Sequence, residues 1–378
     1  GRSCFNSEYC WIQTEDETNQ INHLKDRLVN EIKLKNDVLP IEILTLGSYE
    51  QLFNLRELRG YLLTKKDQSN LKSIIKEQIT DYIKEEEIEK DIKKISKFKN
   101  SISIKVKDQY ENFPYPRWDF KNLSYLNKLS YSDYIIHESN SNLIKKKKIK
   151  KLLVAGCGTG RHPINIALTD SDIEIHALDL SLKSLSYGSR KAQEMGINNI
   201  VWLNGDIHEL KSYNHSFDVI ESVGVLHHMQ DPKIGFDILK DKLTSNGLIK
   251  LGLYSSVFRK LLQPSKDLIY EKKFTRNINS IREARYKIMR RFNEKPYDIP
   301  TKFLDFYSAS SFIDLLLHEQ ELDFEIDDLQ KLYKDDFNFL GFSFTDRQKS
   351  ILDNIMSKNY TNVDLKNIND FEKIEELD

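Results

Sequence analysis

The chain has 378 residues, 57 of them Lys or Arg and 58 Asp or Glu, for a formal charge of −1; that is length for one large domain plus a smaller one, or for two medium domains. Hydrophobic residues make up 39% and charged residues 30%, no apolar run is long enough to span a bilayer, and the balanced charge gives no global electrostatic case for binding nucleic acid or a membrane. Three cysteines cannot build a disulfide framework, and Cys4 and Cys10 have no partners at metal spacing, so a reducing cytoplasm and no metal are expected.

Residues 1–98 are expected to form a helical N-terminal domain. Within 14–98, apolar residues recur at helical spacing, as at Leu71, Ile74, Ile75, Ile79, Tyr82 and Ile83. Gly47 and Gly60 are expected to divide this stretch into several helices, and no 34-residue repeat emerges. A homodimer through these helices stays open. Residues 99–149 change character. The run Gln109-Tyr110-Glu111-Asn112-Phe113-Pro114-Tyr115-Pro116-Arg117-Trp118 reads as a stiff, extended leader, because two prolines restrict both their own φ and the preceding residues. The lysines at 145–148, 150 and 151 read as a solvated approach to a strand.

From 150 to 345 the pattern alternates between strand and helix, as in a parallel α/β sheet. Strands are expected at 151–155, 173–179, 199–203, 217–222 and 248–254, and helices at 161–168, 182–195 and 232–243. Asn246-Gly247 reads as the turn into the fifth strand. A helical insertion follows it over 256–335. Phe339-Leu340-Gly341-Phe342-Ser343-Phe344 reads as a sixth strand, and 346–378 as a polar tail.

The most specific motif is Leu152-Leu153-Val154-Ala155-Gly156-Cys157-Gly158-Thr159-Gly160, with Asp179 nineteen residues after Gly160. An apolar run ending in alternating glycines is a buried strand turning sharply into a helix and presenting backbone N–H groups to a ligand. A dinucleotide turn needs G-x-G-x-x-G, but Arg161 stands where its third glycine belongs. Gly156-x-Gly158-x-Gly160 is instead the form that lies beneath S-adenosylmethionine. Asp179, at the tip of the next strand, is placed to accept from both ribose hydroxyls, with Leu180 beside it. Asp206 is placed to accept from the adenine amine while Ile207 packs near the ring. Glu221 to Val223 would run along the methionine part. In the following loop His227 or His228 would serve as a base with a near-neutral pKa, and adjacent histidines on a helix cannot face the same way.

At these residues the chain resembles the class I S-adenosylmethionine-dependent methyltransferases, and within them a bacterial family often fused to tetratricopeptide repeats. The resemblance is carried by Gln109–Glu111 with Pro114–Trp118, Ala155–His162, Ala177–Ser181, Glu221–Met229 and Leu251–Ser255. It continues through Asp305–Ser308, Asp314–Leu316 and His318, and spans roughly 105–345. It implies a Rossmann-like, mainly parallel sheet with a helical N-terminal domain and a helical insertion after strand 5. It also implies methyl transfer from S-adenosylmethionine, leaving S-adenosylhomocysteine. In related folds an arginine of the leader takes the donor's carboxylate, which points to Arg117. Tyr110 and Tyr115 would line the transfer point, Tyr115 among the catalytic residues, with Tyr254, Asp305, Tyr307 and His318 toward the acceptor. The acceptor would be a nitrogen, oxygen or sulfur nucleophile, a small molecule ahead of a protein side chain. The non-enzymatic alternative is a donor-binding interaction module.

Overall fold

The computed structural model describes residues 2–95, 100–118, 130–139, 148–291, 293–295, 297–344, 350 and 368. Its centre is a six-stranded sheet in the order β1-β4-β3-β2-β5-β6, parallel at every pairing. The strands are β1 Lys93–Lys94, β2 Lys151–Ala155, β3 Glu174–Asp179, β4 Ile200–Asn204, β5 Phe217–Val223 and β6 Leu243–Gly252. From β2 the chain winds outward through β3 and β4, then returns to the other side of β2 for β5 and β6. The switch of direction therefore flanks β2.

The central strands are buried on both faces, which is why they read as continuous apolar runs. Leu152, Val154, Ile175 and Ala177 face one core with Ile166 and Leu185. Leu153, Ala155 and Leu178 face the other with Phe236 and Leu239. Each fully buried Leu here stabilises the fold by roughly 1.5–3 kcal/mol. The helices Arg161–Thr169, Leu182–Glu194 and Pro232–Lys240 agree with the sequence expectation. Asn246 takes φ +58° inside β6. Phe217 pairs with Leu243, but Val219 pairs with Leu248, so the expected Asn-Gly turn is a bulge within a longer strand.

The N-terminal residues form helices around Leu28, Ile43, Leu46, Leu58, Leu62, Ile75 and Ile79. Gly47 ends the helix Pro40–Leu46, whereas Gly60 lies inside Arg56–Thr64 with open space around it, so it breaks nothing. This layer is not separate from the sheet. Lys93–Lys94 adds β1 beside β4, and Ile95 N–H donates to the Asn204 carbonyl at 2.9 Å. The helix Asp81–Asp91 also docks on Leu182–Glu194, where buried Arg190 reaches Asp81 at 3.3 Å and Glu85 at 2.8 Å. The sixth strand thus comes from before the fold's glycine turn. Residues 339–344 form no strand: Phe339 stacks on Tyr333, and Phe342 meets Phe339 edge-on, a local aromatic cluster in place of sheet pairing.

After β6 come the helices Ser256–Glu271, Ile278–Arg290, Ala309–Leu316 and Ile326–Tyr333. The first three share a core of Leu262, Ile281, Ile288, Phe306 and Phe312, which Cys10 joins from the N-terminus. The lysines at 145–147 and most of the 346–378 tail lie outside the described residues. Among those residues, no helix is long and apolar enough to cross a membrane.

Candidate functional site

A cavity of about 640 Å³ opens over the carboxyl ends of β2, β3, β4 and β5, where an open α/β sheet places its ligands at the switch point. Its floor is the glycine turn. Gly156, Gly158 and Gly160 have φ of +82°, +53° and +78°, the region that favours glycine. A Cβ on Gly156 would strike the Val225 side chain, and one on Gly158 would meet the Tyr115 carbonyl oxygen at 2.5 Å. Gly156, Cys157 and Gly158 line the cavity, but Gly160 does not. A Cβ there would strike Trp202 and the backbone of Gly188. Gly160 lets two helices and a strand approach, which corrects its expected place at the cofactor.

Asp179 and Leu180 form the next part of the wall. The Asp179 carboxylate accepts from the Gly158 N–H at 2.7 Å and the Ser181 N–H at 2.9 Å. Burial pushes its pKa up to about 6, with backbone donors at Ser181, Gly158 and Leu180 opposing. A carboxylate has about four lone-pair sites, so these backbone donors leave acceptor capacity toward a ligand. Asp206 and Ile207 follow, with Ser103 and Val106 from the leader helix Ser101–Asn112. Asp206 accepts from the His208 N–H at 3.0 Å. Burial alone would raise its carboxyl, but His208 and Ser103 outweigh that and hold it below the usual range.

Glu221 and Val223 also line the cavity. Glu221 is buried at the heart of a polar cluster. Tyr131 donates to it at 2.7 Å, and the ring of His162 is hydrogen-bonded to its other oxygen. Burial would raise its pKa, but His162, Lys250 and Tyr131 bring it down to about 2. Arg161, His162, Asn165 and Lys250, none of them assigned a role from sequence, complete this wall.

Opposite the turn stands a network of rings around a carboxylate. His228 Nδ1 faces the Gln320 carbonyl at 2.7 Å and so carries the proton, because a carbonyl only accepts. Its Nε2, 3.0 Å from His227 Nε2, is then an acceptor for His227. His318 Nδ1 accepts from the Gln320 N–H at 3.2 Å, so its Nε2–H donates to Tyr110 at 3.0 Å. Tyr110 in turn donates to Asp314 at 2.7 Å, and Tyr254 donates to the other Asp314 oxygen at 3.1 Å. Burial pushes Asp314 up to about 6. Burial also depresses His227 to about 2, His228 to about 4 and His318 to about 2.

Those values correct the expectation of a near-neutral histidine base. Both rings are buried, and the Nε2 of His228 is already engaged by its neighbour. The two histidines also do not diverge: on the short turn Leu226–His228 their ring centroids are 4.1 Å apart, although only His228 lines the cavity. Asp314 also lines the cavity, and sequence reasoning gave it no role. Its signal was present in the Asp-Leu-Leu segment, but a buried acid on an apolar helix has no periodicity to mark it. One ligand atom each from His228, Asp314 and His318 lies within 4.8 Å of the others. The two rings nevertheless stack at 3.5 Å and 14°. Parallel in-plane lone pairs cannot converge on one ion, so the cluster reads as a hydrogen-bond network.

Other expectations change as well. Arg117 does not line the cavity. It turns into the N-terminal layer, donates to Tyr82 and sits 4.5 Å over the Phe5 ring; its charge answers buried Glu8. Tyr307 donates to the Thr301 carbonyl at 2.9 Å and also lies off the cavity. Asp305 and His318 stand one layer behind, Asp305 accepting from Tyr115 at 3.4 Å. The leader is partly helical, since residues 109–112 are the last turn of Ser101–Asn112. Beyond it, residues 113–118 clamp the glycine turn: Thr159 N–H donates to the Tyr115 carbonyl at 3.1 Å, and Trp118 Nε1 to the Thr159 carbonyl at 3.1 Å. Tyr110, Tyr115 and Tyr254 all face the cavity.

Residues 146–290 match the model of a methyltransferase domain. The chain is 28% identical over 211 residues to an uncharacterized protein of Synechococcus sp., covering 52% of this chain and 49% of that one. It is also 28% identical over 153 residues to an uncharacterized protein of Haemophilus influenzae, covering 40% and 57%. The chain thus spans about half the length of the curated relatives it matches. Among solved structures it is similar to PKMT2 from Rickettsia typhi in complex with AdoHcy, with 17% identity, a TM-score of 0.49, and coverage of 69% of this chain and 52% of that one. It also resembles an S-adenosylmethionine-dependent methyltransferase from Clostridium acetobutylicum, with 23% identity, a TM-score of 0.30, and coverage of 43% and 60%.

Proposed function

We propose, taking the match of residues 146–290 to a methyltransferase domain as the premise, that this chain transfers a methyl group from S-adenosylmethionine to a small-molecule nucleophile. One observation carries the reading. The glycine turn, Asp179 and Asp206 share a single cavity with Tyr110, Tyr115, Tyr254 and Asp314. A donor site and an acceptor site are thus joined over the switch point of the sheet.

The residues present suit the donor. Asp179 keeps acceptor capacity for the ribose hydroxyls, as charge-assisted bonds worth roughly 1.5–3 kcal/mol. Asp206 and Ile207 suit the adenine, and Gly156, Gly158 and Val223 suit the methionine part, with the Gly158 N–H already committed to holding Asp179 in place. Bound there, the donor supplies an activated methyl group, so the protein has to align the reactants and exclude water. Residues 113–118 brace the turn from outside. The rings of Tyr110 and Tyr115 line the cavity, and aromatic faces favour positive charge.

The test is release of S-adenosylhomocysteine from S-adenosylmethionine in the presence of pooled metabolites, with proteome fractions as the second arm. Stimulation by the metabolite pool that is lost in Asp179→Ala supports the reading. Stimulation only by protein fractions replaces the acceptor class, and no turnover with either, despite donor binding, leaves an interaction module.

A further inference from the structure

We propose that the acceptor is an amine, held as its ammonium against Asp314 and deprotonated by that carboxylate. The proposal rests on the donor reading above and adds the substrate class and the base.

Asp314 lies on the helix Ala309–Leu316, is only 7% exposed and lines the cavity. Its oxygens accept from Tyr110 and Tyr254. Two neutral phenols orient a carboxylate but do not cancel its charge, and a buried charge left without a counter-charge is costly. Among the described residues no cation forms a salt bridge with it. The nearest cationic influence, Arg259, is held on both oxygens of Glu321, which also takes Lys266 at 2.9 Å. Lys250, which lines the cavity, acts on Glu221.

The neutral groups around Asp314 are compatible with a cation brought by a ligand. His227, His228 and His318 are kept neutral by burial and so do not repel it. Tyr110 and Tyr115 line the cavity with aromatic rings, worth about 2 kcal/mol or more for a desolvated cation on an open face, whereas the Tyr254 ring is already covered by His227 and Arg259. A second carboxylate, Asp305, stands behind Tyr115. An anionic acceptor would meet two negative charges, and an alcohol or thiol would leave Asp314 unneutralised.

The step balances. An N–H bond of the ammonium breaks and its proton goes to Asp314. The freed nitrogen lone pair forms the N–C bond to the methyl carbon. The C–S bond breaks with its electron pair remaining on sulfur, which passes from sulfonium to thioether. The product leaves as a methylated ammonium, and Asp314 then releases its proton to solvent. The raised pKa of Asp314 brings it closer to a proton acceptor than an ordinary carboxylate while leaving it ionised at neutral pH.

The experiment is calorimetry on the full chain saturated with S-adenosylhomocysteine, which cannot react, titrated with benzylamine, benzyl alcohol, benzyl mercaptan and benzoate. We expect benzylamine to bind at least tenfold tighter than the other three. Asp314→Asn should remove that preference while keeping S-adenosylhomocysteine affinity within twofold, which also reports that the variant is folded. Tyr254→Phe keeps the charge, so it should keep amine binding. Equal binding of all four probes, or amine preference surviving in Asp314→Asn, overturns the proposal. So does an Asp314→Asn variant weakened for S-adenosylmethionine but not for S-adenosylhomocysteine, because the carboxylate would then serve the sulfonium. If the wild type binds no S-adenosylhomocysteine, the donor reading itself fails and the amine proposal falls with it.

Discussion

Replacing Gly158 by Ala tests how the leader and the glycine turn make one site. Gly158 sits at φ +53° with the Tyr115 carbonyl oxygen 2.5 Å from the place a Cβ would take. An ordinary C···O contact is about 3.3 Å, so backbone must part from backbone by roughly 0.8 Å, and no side-chain rotation can relieve that. The left-handed conformation costs about 1–2 kcal/mol for an L-residue. Loss of the bond from Thr159 N–H to the Tyr115 carbonyl adds about 1 kcal/mol. Gly196 provides the control, with φ +70° and nothing within 4 Å of its would-be Cβ. In urea unfolding we expect Gly196→Ala to lose about 1–2 kcal/mol and Gly158→Ala about 1 kcal/mol more. Calorimetry should show at least a tenfold loss of S-adenosylmethionine affinity, about 1.4 kcal/mol, only in Gly158→Ala. Equal stability losses together with unchanged donor affinity in both variants would refute the reasoning.

Arg117→Met should lower the melting temperature, because it strips a buried cation from Glu8 and Tyr82, yet change donor affinity less than twofold by calorimetry. Glu221→Gln should cost on the order of 2 kcal/mol in denaturant unfolding at pH 7, since it weakens charge-assisted bonds from His162 and Tyr131. That carboxyl is depressed to about 2 in the fold, so its contribution is present above the unfolded carboxyl range and is lost as pH falls through about 2. Asp179 works in the opposite sense. Raised to about 6 by burial, it penalises the ionised fold, so its own contribution to stability falls as pH rises from about 4 to about 6. Donor binding needs the ionised form, and calorimetric affinity should therefore weaken as pH drops below about 6, a step absent in Asp179→Ala.

The strands and helices from 151 to 243 were legible because buried parallel strands and amphipathic helices write their periods into the chain. The glycine turn was legible because left-handed φ at 156 and 158 demands glycine. Gly160 was misread because the same residue type also answers a packing need, here against Trp202. β1 was not legible: two lysines paired to β4 carry no apolar pattern, and only tertiary contact makes them a strand. Phe339–Phe344 erred the other way, as its aromatic residues pack on one another instead of pairing in the sheet. Arg117 was misplaced because its role depends on Glu8 and Tyr82, far away in sequence. The depressed histidines follow from burial that no local pattern reports.

The most direct measurement is a calorimetric titration of the full chain with S-adenosylmethionine, beside Asp179→Ala and Asp206→Ala. The account predicts saturable one-site binding that Asp179→Ala abolishes and Asp206→Ala weakens at least tenfold. No binding by the wild type, or binding indifferent to both substitutions, would contradict it.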